Sequence, residues 1–230
     1  MLNSMIETIQ SFLEVGGPVV AILMALSVFA MALIGLKLFQ FFQQRVGSHS
    51  IARQAVKLWH HGNKIEALAM VGARAGALNA CLAVAMRTMA QGVKSQQGIE
   101  EDVGRAAITH LHELQRGFRA MDAIAQISPL LGLFGTVLGM IEAFQNLQSA
   151  GNSVDPSLLA GGIWVALLTT AVGLAVAMPV SLTLTWFETR LEDERVAIEV
   201  LSGSIISGEL PMTNKISAET ATQMGREYAH

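Results

Sequence analysis

Three long runs of this chain carry no charged side chain, and they constrain its fold more than any other feature. The runs cover residues 15–36, 123–141 and 156–187. An α-helix rises 1.5 Å per residue, so about 20 apolar residues cross a hydrocarbon layer of about 30 Å. Only 14% of all residues are charged, against about a quarter in ordinary soluble domains. The sequence therefore predicts an all-α membrane protein with three transmembrane helices.

The positive charges predict an orientation for these helices. Lys37 follows the first run, ten further Lys and Arg residues lie within 45–119, and four lie within 190–226. None lies before Lys37, and none lies within 120–188. Lys and Arg are enriched in loops on the cytoplasmic side. We therefore expect the N-terminus to lie outside, and the central region and the C-terminus to lie in the cytoplasm.

These boundaries divide the chain into seven segments. We predict an external N-terminal segment at 1–14, transmembrane helices at 15–42, 123–144 and 157–187, a helical cytoplasmic region at 43–122, an external loop at 145–156, and a cytoplasmic helix with a polar tail at 188–230. The third apolar run exceeds what a bilayer requires, so its helix either tilts or projects beyond the membrane. No basic residue precedes the first run and no small-residue cleavage site follows it, so we interpret this run as a retained helix.

The central region is also predicted to be helical. Apolar residues at helical spacing indicate helices over 51–61, 64–73 and 79–91. From about Gly98 the helical pattern continues to Ser128-Pro129, so we expect one helix to run into the second span. The third span is expected to continue over 188–199. Two helices that leave the membrane together cannot bury their faces alone, which predicts a helical bundle and an oligomer.

No motif of a covalent or metal-dependent enzyme is present. The sequence contains no GxxxxGK[ST], GxSxG or HExxH motif, so we expect no catalytic residues. His110 and His112 point to different faces of a helix, and His60 and His61 have no Cys nearby, so no metal site or cofactor is predicted. Cys81 is interpreted as a small buried residue. The net charge of −3 gives no basis for binding nucleic acid.

The second span carries small residues at helical spacing. Its run SPLLGLFGTVLGMI contains Gly132, Gly135 and Gly139. Such residues let helices approach closely in lipid, so we interpret them as packing positions. The hydroxyl of Thr136 can return a hydrogen bond to the backbone, or it can line a wet seam between helices.

The third span, GGIWVALLTTAVGLAVAMP, is also rich in small residues, with Thr169 and Thr170 near its middle. Two helices that each offer a threonine at mid-membrane depth can build a polar lining, or they can simply pack together. Pro179 lies where a proline can kink the helix. The residues assigned to helix packing in the two spans are Gly132, Gly135, Gly139, Gly162, Gly173, Pro129 and Pro179.

The two spans resemble the signature of the MotA/TolQ/ExbB proton-channel family, in its ExbB/TolQ branch. The runs PLLGLFGTVLG and ALLTTAVGL carry the resemblance, together with the opening Gly16-Gly17-Pro18 and the large helical region between the first two spans. Three spans rather than four favour the ExbB/TolQ type over the flagellar MotA type. The resemblance implies a bacterial inner-membrane protein that forms a pentamer around a central pore, with helices of an ExbD- or TolR-like single-span partner in that pore.

The resemblance also implies a function and its residues. Proton flow would rotate the two components against each other, and the work would pass to a TonB- or TolA-like protein. Thr136 and Thr170 match the family's pore threonines, and we assign them to the proton pathway with Thr169 and position 165. Family members usually carry a glutamate where this chain has Val165, so its third span has no ionisable group.

A proton relay inside a membrane needs a titratable group. Glu142 lies toward the outer end of the second span and does not obviously replace the missing glutamate. We hypothesise that the partner supplies the carboxylate, or alternatively that Val165 marks reduced or altered conduction.

Several functional interpretations stay open at this point. The first is an ExbB-like subunit that energises TonB-dependent uptake through the outer membrane. The others are a TolQ-like subunit of the Tol-Pal envelope system and a non-conducting scaffold whose threonines only pack helices. An independent solute transporter would require more spans, repeats or broken helices. The transported ion, proton or sodium, is also left open.

Overall fold

The computed structural model describes residues 2–149 and 156–209, and all regular secondary structure in these ranges is helical. Three described segments are long and apolar enough to cross a membrane: Gly17–Gln43, Gln96–Ser149 and Leu159–Ser207. The prediction of an all-α membrane protein with three such helices is confirmed. The predicted polar tail and half of the predicted external loop, residues 150–155, lie outside the described residues. In chain order, the helices are α1 Leu2–Gln43, α2 Ser50–His60, α3 Lys64–Gly72, α4 Ala77–Gln91, α5 Gln96–Gln115, α6 Phe118–Ser149 and α7 Pro156–Ser207.

The backbone of α1 is interrupted at Gly17, whose φ of 62° and ψ of −163° are not helical. Only glycine adopts such a backbone conformation readily, because any Cβ atom would be strained there. Pro18 follows, and proline suits the first position of a helix because the missing N–H has no helical acceptor there. The continuous apolar part of α1 therefore begins at Pro18.

A second interruption separates α5 from α6. The helix expected to run from about Gly98 into the second span is broken at Arg116 and Gly117, where Gly117 has a φ of 92°. Periodicity alone did not indicate this break, because a single glycine is tolerated inside a helical pattern. The left-handed conformation at Gly117 ends α5 and allows α6 to begin at Phe118.

The chain divides into two compact units. The first consists of Met1–Phe41 and Gln115–Thr189. In this unit the rings of Phe41, Phe118 and Phe187 form one cluster that joins α1, α6 and α7, with centroid distances of 4.8 to 6.3 Å. The Lys37 ammonium lies 5.6 Å from the centroid of the Phe118 ring and donates to the Gln40 side-chain oxygen over 2.7 Å.

The second unit consists of Phe42–Leu114 and Arg190–His230. Helices α2, α3 and α4 begin and end within two residues of the predicted helices, which are confirmed, and α7 confirms the predicted continuation of the third span over 188–199. The core of this unit includes the buried side chains Ala55, Val56, Val71, Leu82 and Met86.

A buried carboxylate ties this second unit together. Glu194 on α7 accepts hydrogen bonds from the Gly47 amide (3.0 Å) and the Leu78 amide (3.3 Å), and its Oε2 lies 3.1 Å from His49 Nε2. Leu78 is the second residue of α4, so the negative charge lies at the end of the helix dipole that favours it. Cys81, one turn along α4, is fully buried as predicted. Burial, together with the Glu194 carboxylate, raises the pKa of its thiol to about 12.

The break at Gly117 can be tested by substitution. Gly117→Ala is expected to lower the free energy of unfolding by about 1–3 kcal/mol, because alanine is strained at a φ of 92°. The measurement is thermal unfolding of the full-length protein in detergent.

Gly104→Ala is the matched control. Gly104 lies inside α5 with open space around it, so alanine there is expected to stabilise the helix by up to about 1 kcal/mol. Equal effects of the two substitutions would contradict the assigned conformation at Gly117.

Candidate functional site

Three of the predicted pathway residues, Thr136, Thr169 and Thr170, lie where α6 and α7 pack closely against each other. Residues further along α6 contact residues earlier on α7: Gly132 lies near Thr170, and Gly139 lies near Ala166. The two helices are therefore antiparallel. A Cβ atom added to Gly132 would lie 2.9 Å from the Thr170 Cα, and one added to Gly162 would lie 2.5 Å from the Ala143 Cβ. At Gly173 the nearest atom would be the Ser128 carbonyl oxygen, at 2.6 Å. The contact therefore has no room for larger side chains.

Thr169 occupies the centre of this helix contact. Its side chain is buried, and its Oγ1 lies 2.6 Å from the Ala166 carbonyl oxygen and 3.1 Å from the Gly132 carbonyl oxygen of the opposite helix. A Cβ atom added to Gly135 would lie 2.6 Å from this same Oγ1. Within one chain, the Thr169 hydroxyl therefore lies within hydrogen-bond distance of a backbone carbonyl on each of the two helices. Its part in a proton pathway stays a prediction.

Thr170 differs from Thr169 in its hydrogen bonding. Its Oγ1 is buried and has no hydrogen-bond partner within the described parts of the chain. A buried hydroxyl without a partner is unfavourable, and most such groups in proteins are paired with protein or with water. The Thr170 hydroxyl therefore requires a partner that this single chain does not provide among its described residues.

Thr136 borders the same contact from the other helix. It lies one turn after Gly132, the residue that the Thr170 backbone approaches, and its Oγ1 donates to the Leu133 carbonyl over 2.6 Å. The hydroxyl oxygen can still accept a hydrogen bond. Beside it, an open groove of about 560 Å³ runs along α6, lined by Thr136, Val137, Met140, Ile141, Phe144, Gln145 and Gln148.

The structure does not bring every predicted pathway residue together. Val165 and Thr170 are five residues apart on α7, which separates them by about 140° around the helix. Val165 is half-buried, and the carboxylate of Glu142 is on an exposed side chain of α6. The two threonines Thr136 and Thr170 border one contact, whereas position 165 lies on another side of α7.

Both predicted prolines lie within continuous helices. Pro129 is inside α6 and Pro179 is inside α7. Proline has no amide proton, so the carbonyl groups four residues earlier lose their usual helical donor. Nearby hydroxyls bond other backbone carbonyls and not the freed ones: Ser128 donates to the Ile124 carbonyl and Thr183 donates to the Pro179 carbonyl, both over 2.7 Å.

Sequence reasoning missed three residues of the contact. Ser128, Ala143 and Ala166 are buried and lie against Gly173, Gly162 and Gly139. For the two residues of α6 the signal was available, because small residues recur every three or four positions from 128 to 143 and therefore share one face of the helix.

The close approach of α6 and α7 predicts different outcomes at two adjacent glycines. Gly162→Ala places a Cβ atom 2.5 Å from the Ala143 Cβ and is expected to lower stability by about 1–3 kcal/mol through overpacking. Gly161→Ala meets no atom within 4 Å and serves as the control, with unchanged or slightly higher stability expected. Thermal unfolding of the two full-length variants measures the difference, and equal midpoints would contradict the described contact.

Comparisons with known proteins agree with the resemblance found in the sequence. The profile of the MotA/TolQ/ExbB proton channel family matches residues 67–200. A putative biopolymer transport protein ExbB homolog of Methanothermobacter thermautotrophicus is 30% identical over 157 residues, which are 68% of this chain and 54% of that protein. The biopolymer transport protein exbB1 of Vibrio cholerae is 48% identical over 68 residues, 30% of each chain.

A Tol-Pal system protein, TolQ of Haemophilus influenzae, is 38% identical over 69 residues, again 30% of each chain. The chain thus spans about half or less of the length of these relatives. The family profile covers most of α3, all of α4, α5 and α6, and most of α7. With three helices able to cross a membrane and this match over more than half of its length, the chain belongs to the MotA/TolQ/ExbB proton channel family, in its ExbB/TolQ branch.

Proposed function

We propose that this protein is the channel subunit of a proton-driven motor in the bacterial inner membrane. In this proposal five copies surround a pore that holds the helices of an ExbD-like single-span partner. Proton flow through the pore energises a TonB-like protein and thereby uptake through the outer membrane. Relatives that are named biopolymer transport protein ExbB support the assignment.

The unpaired hydroxyl of Thr170 is the observation that carries this proposal. It is buried beside Gly132, one turn from Thr136, and it lacks a partner in the described part of the chain. Inside a bilayer, such a group is satisfied either by water or by a polar group of another chain. A wet seam that contains Thr136 and Thr170 supplies that partner, and it is also what proton conduction requires.

The proton-carrying carboxylate is proposed to come from the partner. The apolar runs at 123–141 and 156–187 contain no acidic residue, and the position of the family glutamate is Val165. Hydroxyls can order water and pass protons along hydrogen bonds, but unlike a carboxyl group they do not titrate, so they cannot bind and release a proton of their own. The threonines of this chain therefore line the path, and an acid on the partner helix binds and releases the proton.

The orientation completes the proposal. The N-terminus and the connection between α6 and α7 lie in the periplasm, and the second unit and the C-terminus lie in the cytoplasm. The distribution of Lys and Arg supports this arrangement, because every one of the 15 falls on the cytoplasmic side.

The role of the threonines can be tested by removing both hydroxyls. Thr136→Val with Thr170→Val preserves shape and is expected to lower partner-dependent proton flux in vesicles by about tenfold to a hundredfold, because two hydrogen bonds of about 1 kcal/mol each are lost. Thr183→Val is the control: the Thr183 hydroxyl bonds a helix carbonyl as the Thr136 hydroxyl does, but Thr183 lies more than three turns beyond Thr170 on α7.

The oligomer must remain intact for this comparison, which size-exclusion chromatography establishes. Unchanged flux in the double variant would favour the non-conducting scaffold. Equal flux without the partner would contradict a partner-supplied carboxylate. Replacing protons by a sodium gradient in the same vesicles distinguishes the two ions.

A TolQ-like role is the second candidate, and the match to the TolQ protein of Haemophilus influenzae favours it. Expression in a host that lacks both systems separates the two roles. An ExbB-like protein is expected to restore TonB-dependent uptake without restoring resistance of the envelope to detergent. Restoration of detergent resistance alone would support the TolQ-like role and contradict the primary assignment.

A further inference from the structure

The first part of the second unit has an uneven balance of charge. Residues 45–74 contain one acidic side chain, Glu66, and five basic ones, and all six are exposed. This segment comprises the connection after α1, the α2–α3 hairpin and the residues that follow it. Its basic residues are Arg45, Arg53, Lys57, Lys64 and Arg74.

These five cations lack ion-pair partners within residues 2–149 and 156–209. Three other cations of the same unit are paired with carboxylates. Lys94 and Arg105 both bond the Asp102 carboxylate and hold its pKa below the usual range. Arg195 lies 3.8 Å from Glu192. Arg87 on α4 also has no ion pair among the described residues, so most of the uncompensated positive charge of the unit lies in the segment 45–74.

Helix α2 presents this charge on one side. Its residues Ala52, Ala55, Val56 and Trp59 are buried. Arg53, Lys57 and His61 follow one another at intervals of four residues and are exposed, so they form a basic row along the opposite side.

The surface beside this row has a groove as well as positive charge. An open groove of about 470 Å³ contains Lys57 and His61 together with polar and apolar side chains, and the ammonium of Lys64 lies 5.4 Å from the centroid of the Trp59 ring. Cationic donors beside apolar surface suit a ligand that combines a phosphate with hydrocarbon. The groove is lined by Gln54, Lys57, Leu58, His61, Asn63 and Met70.

The chain limits how far this row can lie from the membrane. Helix α2 begins seven residues after α1 ends at Gln43. Seven residues span at most about 25 Å when fully extended. In the proposed orientation, α1 leaves the cytoplasmic leaflet at this end, where anionic lipids create a negative surface potential.

We propose that the basic row formed by Arg53 and Lys57 of α2 and by His61, which caps this helix, binds the phosphate-bearing headgroups of anionic lipids in the cytoplasmic leaflet. The proposal rests on the orientation given under the proposed function. The general bias of cytoplasmic loops toward Lys and Arg accounts for the sign of the charge. It does not account for five exposed and uncompensated cations in a segment with a single acid.

A fluorescent reporter at the row tests the proposal. Gln54→Cys places one reactive thiol between Arg53 and Lys57, and the native Cys81 does not compete because it is fully buried. The full-length protein carries the label in nanodiscs of phosphatidylcholine alone or of equal parts phosphatidylcholine and phosphatidylglycerol. Quenching by a nitroxide on the lipid headgroups is the measurement. We expect stronger quenching in the anionic nanodiscs and loss of the difference in 0.5 M NaCl.

Two charge variants decide whether the row is responsible. Arg53→Gln with Lys57→Gln is expected to lower headgroup association about fivefold or more, because one basic residue changes association with an anionic surface about fivefold. Lys94→Gln with Arg105→Gln removes the same charge elsewhere and is expected to leave the quenching unchanged. Equal quenching in both lipids, or equal effects of the two variants, would overturn the proposal.

Nanodiscs expose both membrane faces, so the result depends neither on orientation nor on proton conduction. Failure of lipid binding therefore leaves the channel proposal standing, and failure of the threonine test leaves lipid binding standing. Quenching that is insensitive to lipid charge but abolished by an added acidic peptide would assign the row to a protein partner and reject the lipid proposal.

Discussion

Close contact between α6 and α7 is the constraint on which the membrane part of this protein depends. Inside a bilayer, two apolar helices gain nothing by excluding water from each other, so van der Waals contact and interhelical hydrogen bonds must hold them together. Both require the backbones to approach closely. Gly132, Gly135 and Gly139 of α6, with Gly162 and Gly173 of α7, permit that approach, and the Thr169 hydroxyl adds a bond to the backbone of the opposite helix.

This contact also determines where polar groups can lie. Thr169 is enclosed between the helices, whereas Thr136 and Thr170 border the contact near Gly132. Two neighbouring threonines on α7 thus have different surroundings, one bonded to backbone and one without a partner in the described chain. A chain without an acidic residue in its last two apolar runs can still offer an ordered polar edge, and in the proposed function a partner contributes the titratable group.

The sequence predicted most of the architecture because lipid imposes strict rules on composition. Runs without charge identified the three membrane helices, and helical periodicity located α2, α3 and α4 to within two residues. The break at Gly117 was missed because its cause is a backbone angle, which a single glycine does not reveal. The different surroundings of Thr169 and Thr170 depend on the rotation of α7 against α6, and the buried Glu194 depends on contacts between distant segments. Neither can be read from spacing alone.

The left-handed residue between α5 and α6 also has a consequence for how this chain can change over evolution. In an unbroken helix, inserting one residue turns everything beyond it by about 100° and would rotate the face that carries Gly132 and Gly139 away from α7. The break at residues 116–117 keeps an insertion in α5 from rotating α6, because the backbone at the break is not helical and can absorb the rotation. The length of α5 can therefore vary by single residues while the membrane contact keeps its register.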